Sequence, residues 1–146
     1  MVFKMASIKK IDHIGIVVPN IQEGIEIYKQ LLLRKPIYTE YIDASKVQLA
    51  FFDVGGVQIE LLAPTSFDSE VMLFLKQTGG GLHHICYEVE KINDILTELK
   101  DKGFRLIDEI PRPGSRNTQI AFVDPKSTKG VYIEYCEFIN KNQKKG

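Results

Sequence analysis

The stretch Ile11-Asp12-His13-Ile14-Gly15-Ile16-Val17-Val18 returns, altered but recognisable, as Leu82-His83-His84-Ile85-Cys86-Tyr87-Glu88-Val89. Each opens one half of the chain. Each half closes on a strand-like run carrying one acid, first Val57-Gln58-Ile59-Glu60-Leu61-Leu62 and then Val131-Tyr132-Ile133-Glu134-Tyr135-Cys136. His13 precedes Glu60 by 47 residues, and His84 precedes Glu134 by 50. Two imidazoles and two carboxylates therefore hold equivalent places in two similar halves. If the halves fold alike and pair, four metal-type ligands converge on one point.

Working outward, each half reads βαβββ. In the first, a strand over about Lys10–Val18 is followed by Asn20, with Glu23 three residues on as in a capping box. A helix then carries Ile21, Ile25, Tyr28 and Leu32 on one stripe and stops before Pro36. Strands follow at about Ile37–Ile42, Lys46–Val54 and Val57–Ala63, the last two joined by the hairpin signal Gly55-Gly56. A connector over 65–81 holds a short helix with Val71, Met72, Phe74 and Leu75, capped by Asp68 or Ser69, and ends in Gly79-Gly80-Gly81. The second half repeats the order: a strand at Leu82–Val89, a helix with Ile92, Ile95, Leu96 and Leu99 stopped at Gly103, and strands at Phe104–Ile107, Thr118–Val123 and Val131–Phe138. The expected organisation is one domain over 1–146, with module 1 at 10–64, module 2 at 82–138 and a mobile Lys-rich tail at 139–146.

Strand alternation gives this pattern a geometry. His13 shares a face with Gly15 and Val17, opposite Ile14, Ile16 and Val18. Glu60, His84 and Glu134 likewise oppose apolar neighbours. The helices are expected to cover the apolar rows, leaving the ligands on the inside of a curved sheet. His83 has the opposite parity and is read as structural.

Composition narrows the function classes. At 146 residues the chain is long enough to bury a substantial core. Nineteen basic residues balance nineteen acidic ones, so bulk charge gives no reason to expect nucleic acid or an anionic membrane as partner. No apolar run approaches the roughly 20 residues that span a bilayer, and the N-terminus lacks a signal-peptide core. Cys86 and Cys136 fit neither a disulfide framework nor a thiolate zinc motif. They read as small buried hydrophobes in a reducing, cytoplasmic setting.

Taken singly, a strand histidine is more often a hydrogen-bonded structural residue than a ligand, and a strand glutamate is ordinary on a half-solvated face. Equivalence across the repeat favours the joint reading of His13, Glu60, His84 and Glu134 as a mixed N/O site. Such a site suits a borderline divalent ion such as Co2+, Ni2+, Zn2+ or Mn2+. Four protein ligands in an octahedron leave two positions for substrate oxygens, where the ion acts as a Lewis acid.

The stretches IDHIGIVV, VQIELLAP, GGGLHHICYEV, KGFRLIDEIPRPG and IAFVDPKSTKGVYIEY, spanning about Ile11 to Glu137, resemble the vicinal-oxygen-chelate (glyoxalase/bleomycin-resistance) superfamily. Within it they are most similar to the methylmalonyl-CoA epimerases. The resemblance implies an α+β fold in which two βαβββ modules form a U-shaped, cupped, eight-stranded mixed sheet with helices on the outer face. It places the family's metal ligands on the same four residues. It also matches Lys126 and Ser127 to a segment that follows a His-Pro in many relatives, with Asp124 here in place of the His. An acid/base glutamate found on the third strand of some epimerases falls on Leu49, which carries no proton.

The implied activity is interconversion of (R)- and (S)-methylmalonyl-CoA by alpha-proton transfer through a metal-stabilised enolate. Glu134 is the expected base and Glu60 its partner. Arg112, Arg116, Lys126 and Lys129 are candidates for the CoA phosphates, with Ser127 beside them, and a homodimer is expected. The rivals are a glyoxalase-I-type lactoylglutathione lyase using the same ligands, a small-molecule-sequestering protein of the same fold, and an iron-dependent ring-cleaving dioxygenase, which the fourth ligand position disfavours.

Overall fold

A computed structural model describes residues 6–139; residues 140–146 of the expected tail lie outside the described residues. In chain order the elements are β1 (Ser7–Val17), α1 (Ile21–Leu32), β2 (Tyr38–Ile42), β3 (Val47–Val54), β4 (Val57–Pro64), α2 (Met72–Thr78), β5 (Gly81–Glu90), α3 (Ile92–Asp101), β6 (Arg112–Pro113), β7 (Thr118–Val123) and β8 (Tyr132–Phe138). The strands form one eight-stranded sheet in the order β2-β3-β4-β1-β5-β8-β7-β6. It is mixed, because β1 and β4 run parallel while β2–β3, β3–β4, β6–β7 and β7–β8 are antiparallel. The expected α+β class and eight-stranded mixed sheet are therefore found. No helix among the described residues is long and apolar enough to cross a membrane.

The chain divides into two compact units. The first is His13–His84, and the second joins the described parts of Met1–Asp12 and Ile85–Gly146. The boundary cuts β1 between Asp12 and His13 and β5 between His84 and Ile85.

In the first unit, α1 starts where the sequence says it should. Asn20 is extended and its side chain accepts the Glu23 N–H at 2.9 Å, satisfying one of the orphan donors of the first turn. Its apolar stripe Ile21, Ile25, Tyr28 and Leu32 packs on Ile16, Val18, Ala50, Phe52, Ile59, Leu61 and Ala63, the sheet face opposite His13 and Glu60. Gly24 belongs to this contact, since a Cβ there would stand 2.9 Å from Val18 Cγ2. The face that carries His13 and Glu60 also has a core, which strand parity alone did not suggest. Val17, Val47, Leu49, Phe51 and Leu62 are buried there with Val71, and Phe74 and Leu75 of α2 pack against them. The first residue outside α2 is Val71, which gives no side-chain cap, although Ser69 Oγ accepts the Val71 N–H at 3.4 Å.

In the second unit the stripe of α3 packs Ile92, Ile95, Leu96 and Leu99 on Tyr87, Val89, Ala121 and Tyr135. Gly103 follows this helix with φ +90°, as its stop signal requires. The sixth strand departs from expectation. Phe104–Ile107 forms no strand, and only Leu106 bridges Val123. Backbone bonds flank that bridge, Ile107 N–H to Phe122 O and Asp124 N–H to Arg105 O, both at 2.9 Å, but side chains end the ladder on either side: Ser127 Oγ accepts the Arg105 N–H at 2.8 Å, and Asp108 accepts the Phe122 N–H at 2.9 Å. The strand forms instead at Arg112–Pro113 against β7, within the run expected to be loop. It is two residues long, and the two prolines flanking Arg112 have no N–H with which to extend it.

Candidate metal centre

Register on three strands builds one row in the first unit. Phe51 pairs with Glu60, and Glu60 pairs with Gly15. His13, two residues before Gly15 on β1, shares their face. Gly15 has no side chain, and the space that leaves is filled from β5 by His84. A Cβ on Gly15 would lie 2.1 Å from His84 Cε1, 2.4 Å from Nδ1 and 2.6 Å from Nε2, so the imidazole lies across the bare backbone. The sequence placed Gly15 on this face without revealing that role.

Three donor atoms meet at this row. His13 Nε2 lies 3.0 Å from His84 Nε2. Glu60 Oε1 lies 3.5 Å from His13 Nε2 and 3.2 Å from His84 Nε2. The residues are 3%, 4% and 1% exposed for His13, Glu60 and His84. The edge of the His13 ring meets Phe51, with centroids 5.9 Å apart at 89°, so one wall of the group is hydrocarbon.

The donor set fits a cation. Glu60 Oε1 is buried with no hydrogen-bond partner, although two ring nitrogens stand beside it. A carboxylate oxygen so placed loses its hydration with nothing in exchange unless a positive ion supplies the contact. Bonds of about 2.0–2.2 Å from a divalent ion to imidazole nitrogen or carboxylate oxygen set neighbouring donors about 2.8–3.6 Å apart, for angles from square to tetrahedral. The three observed separations fall in that interval. His13, Glu60 and His84 thus form a possible metal-binding group.

His83 is closer to this group than its parity indicated. Its ring is half-buried, meets Phe74 of α2 edge-on at 4.8 Å, and places Nδ1 2.8 Å from His84 Nδ1. Parity describes where Cβ points, not how far a ring reaches at the beginning of a strand.

The other residues singled out in the sequence belong to the second unit. Glu134 is buried on β8, paired with Phe122 across the ladder. Cys136, two residues on, is buried in a cluster with Cys86 and Ile120. Burial pushes the Cys86 thiol well above its ordinary range, helped by its contact with Cys136 and by the negative charges of Glu134 and Asp12. Without an ion nearby that shift favours the neutral thiol, and both cysteines are free and buried. The basic candidates differ in how engaged they are. Arg116 is ion-paired with the buried Asp12 and stands over the Phe138 ring. Arg112 bonds Asp108 at 3.1 Å and stands over Phe122. Ser127 Oγ is the acceptor for Arg105. Lys126 and Lys129 are exposed, and the Lys126 backbone N–H is held by Asp124.

Comparison with known proteins places this arrangement in a family. Residues 12–122 match the glyoxalase/bleomycin resistance protein/dioxygenase superfamily. An uncharacterised Bacillus subtilis protein, YqjC, is 40% identical over 88% of this chain and 91% of its own length. The human mitochondrial methylmalonyl-CoA epimerase is 32% identical over 86% of this chain and 72% of its own length. A solved structure of a Streptomyces coelicolor methylmalonyl-CoA epimerase variant, in complex with 2-nitronate-propionyl-CoA, superposes with a TM-score of 0.84 at 31% identity. It covers 91% of this chain and 96% of that one. The chain belongs to the glyoxalase/bleomycin resistance protein/dioxygenase superfamily, and methylmalonyl-CoA epimerases are among its homologues.

Proposed function

We propose that this protein is a metal-dependent epimerase that moves the alpha proton of methylmalonyl-CoA. The observation that carries the reading is the convergence of His13, His84 and the unpartnered Oε1 of Glu60, in a chain whose homologues include enzymes of that name. The nitronate compound held by the Streptomyces structure supports the same chemistry. A nitronate carries its charge on the oxygens of a planar group, as an enolate does, and analogues of a transient state bind tightly where that state is stabilised.

His13, Glu60 and His84 hold the ion, with Co2+ the first choice and Glu134 as the fourth ligand assigned by its place in the repeat. A divalent ion supplies Lewis acidity toward a substrate carbonyl oxygen, where negative charge develops when the alpha proton leaves. A carboxylate that gives up its ligand role can act as the base: in this reading Glu134 takes that proton, and Glu60 is its partner for return on the other face. Leu49 takes no part, because it has no titratable atom. Lys126 is the first choice for the CoA phosphates, with Arg112, Arg116 and Ser127 as further candidates; both guanidiniums already hold an acid, Asp108 and Asp12 respectively. The working form in this reading is a cytoplasmic homodimer.

The test is alpha-proton exchange in deuterated water. Co2+-loaded protein with methylmalonyl-CoA should incorporate deuterium at the alpha carbon, followed by NMR or mass spectrometry. Glu134→Gln should abolish incorporation. Exchange by the variant at the wild-type rate removes Glu134 from the mechanism. Turnover of a thiol–methylglyoxal adduct without exchange in methylmalonyl-CoA would transfer the assignment to the lyase.

A further inference from the structure

We infer that His83 is a positioning residue that fixes the tautomer of His84, an inference that rests on the metal reading above. A neutral imidazole has one N–H and one lone pair, and a ring that ligates through one nitrogen keeps its proton on the other. His84 Nε2 is the atom that faces His13 Nε2 at 3.0 Å and Glu60 Oε1 at 3.2 Å. For Nε2 to offer its lone pair, the proton must sit on Nδ1. There it meets His83 Nδ1 at 2.8 Å. His83 accepts through Nδ1 when its own proton is on Nε2, so the pair is satisfied with both rings neutral.

The reverse arrangement would put the His84 proton on Nε2, pointing at His13 Nε2 3.0 Å away, and would leave His84 no lone pair for an ion; the His83 contact favours the ligating tautomer by giving the Nδ1 proton an acceptor. Two further contacts hold the geometry. The His83 ring is wedged edge-on against Phe74, and the His84 ring lies over the bare Gly15. An acceptor behind a metal-binding imidazole both orients the ring and raises its basicity.

His83→Phe keeps the aromatic contact with Phe74 and removes the acceptor. His83→Asn keeps an acceptor oxygen close to the place of Nδ1. Co2+ affinity would be measured at fixed pH by competition with a chromophoric chelator, together with the visible ligand-field spectrum of bound Co2+ and far-UV circular dichroism. The expected result is a loss of about 10–100-fold in Co2+ affinity for His83→Phe, with a changed Co2+ spectrum and unchanged backbone signal. His83→Asn should restore both affinity and spectrum. His83→Gln, whose oxygen sits one bond too far out, should behave as His83→Phe does and replaces it if that variant does not fold. Wild-type affinity in His83→Phe overturns the inference. So does an equal loss in the Phe and Asn variants with the wild-type Co2+ spectrum retained. Wild-type protein that takes up no Co2+ overturns the metal reading itself, a distinct outcome.

Discussion

A methyl group at Gly15 would stand 2.1 Å from His84 Cε1, well inside contact distance. Since β1 is backbone there and cannot move aside, the imidazole has to. Gly15→Ala should therefore cost about 1–3 kcal/mol of stability, the usual range for overpacking, and, on the proposed metal reading, lower Co2+ affinity by about tenfold or more as the ring moves away from His13 and Glu60. Urea unfolding and chelator competition measure the two effects separately; full Co2+ affinity in the variant would mean the ring is not held by this gap. At this scale the sequence yielded the identities of His13, Glu60 and His84 from the repeat and their common face from parity. It did not yield the reason for Gly15 or the nearness of His83 to His84. Both depend on how closely β1 and β5 approach and how far a ring reaches, which no alternation of letters encodes.

Among the elements, the two long helices begin by different means. The cap of α1 is local, with Asn20 three residues from its donor, and was legible. No Ser, Thr, Asp or Asn precedes α3. Lys91 stands there in the left-handed region with no side-chain cap, and Glu137 on β8 accepts the N–H groups of Lys91 at 2.9 Å and Ile92 at 3.1 Å. The partner is 46 and 45 residues away, beyond any local motif. A carboxylate at a helix N-terminus gains from both hydrogen bonds and the helix dipole. Glu137→Ala should cost about 1–2 kcal/mol in urea unfolding, and Glu137→Gln less. An unchanged midpoint in the alanine variant would show that water replaces the carboxylate without loss. The sixth strand was misplaced for a similar reason. Phe104–Ile107 has the apolar content of a strand and keeps a single bridge to β7, but the side chains of Asp108 and Ser127 take the N–H groups of Phe122 and Arg105 that would lengthen it.

For the whole molecule, an ion held by the native chain and released on unfolding raises stability by mass action. At a free ion concentration 100 times its Kd the gain is about 2.7 kcal/mol, or roughly 5–10 °C in Tm for a chain of this size. Differential scanning fluorimetry should show that rise with Co2+, its reversal by a chelator, and its absence in His84→Ala; equal shifts in both proteins would place the ion elsewhere. The βαβββ repeat, the α+β class and the buried stripes of α1 and α3 were all legible, because periodicity and burial are written locally. The second core, on the ligand face beneath α2, was not, since its residues come from β1, β3, β4 and α2 together. That core sets a limit on what position 49 can do. Leu49 is 2% exposed within it, so a glutamate arriving there alone would be dry, would hold its proton tightly and would weaken the fold. A second base is therefore not one mutation away. A carboxylate working from position 49 would need polar neighbours in place of Val47, Phe51 and Leu62, so the packing under α2, as much as the identity of one residue, decides which chemistry this wall of the site can take part in.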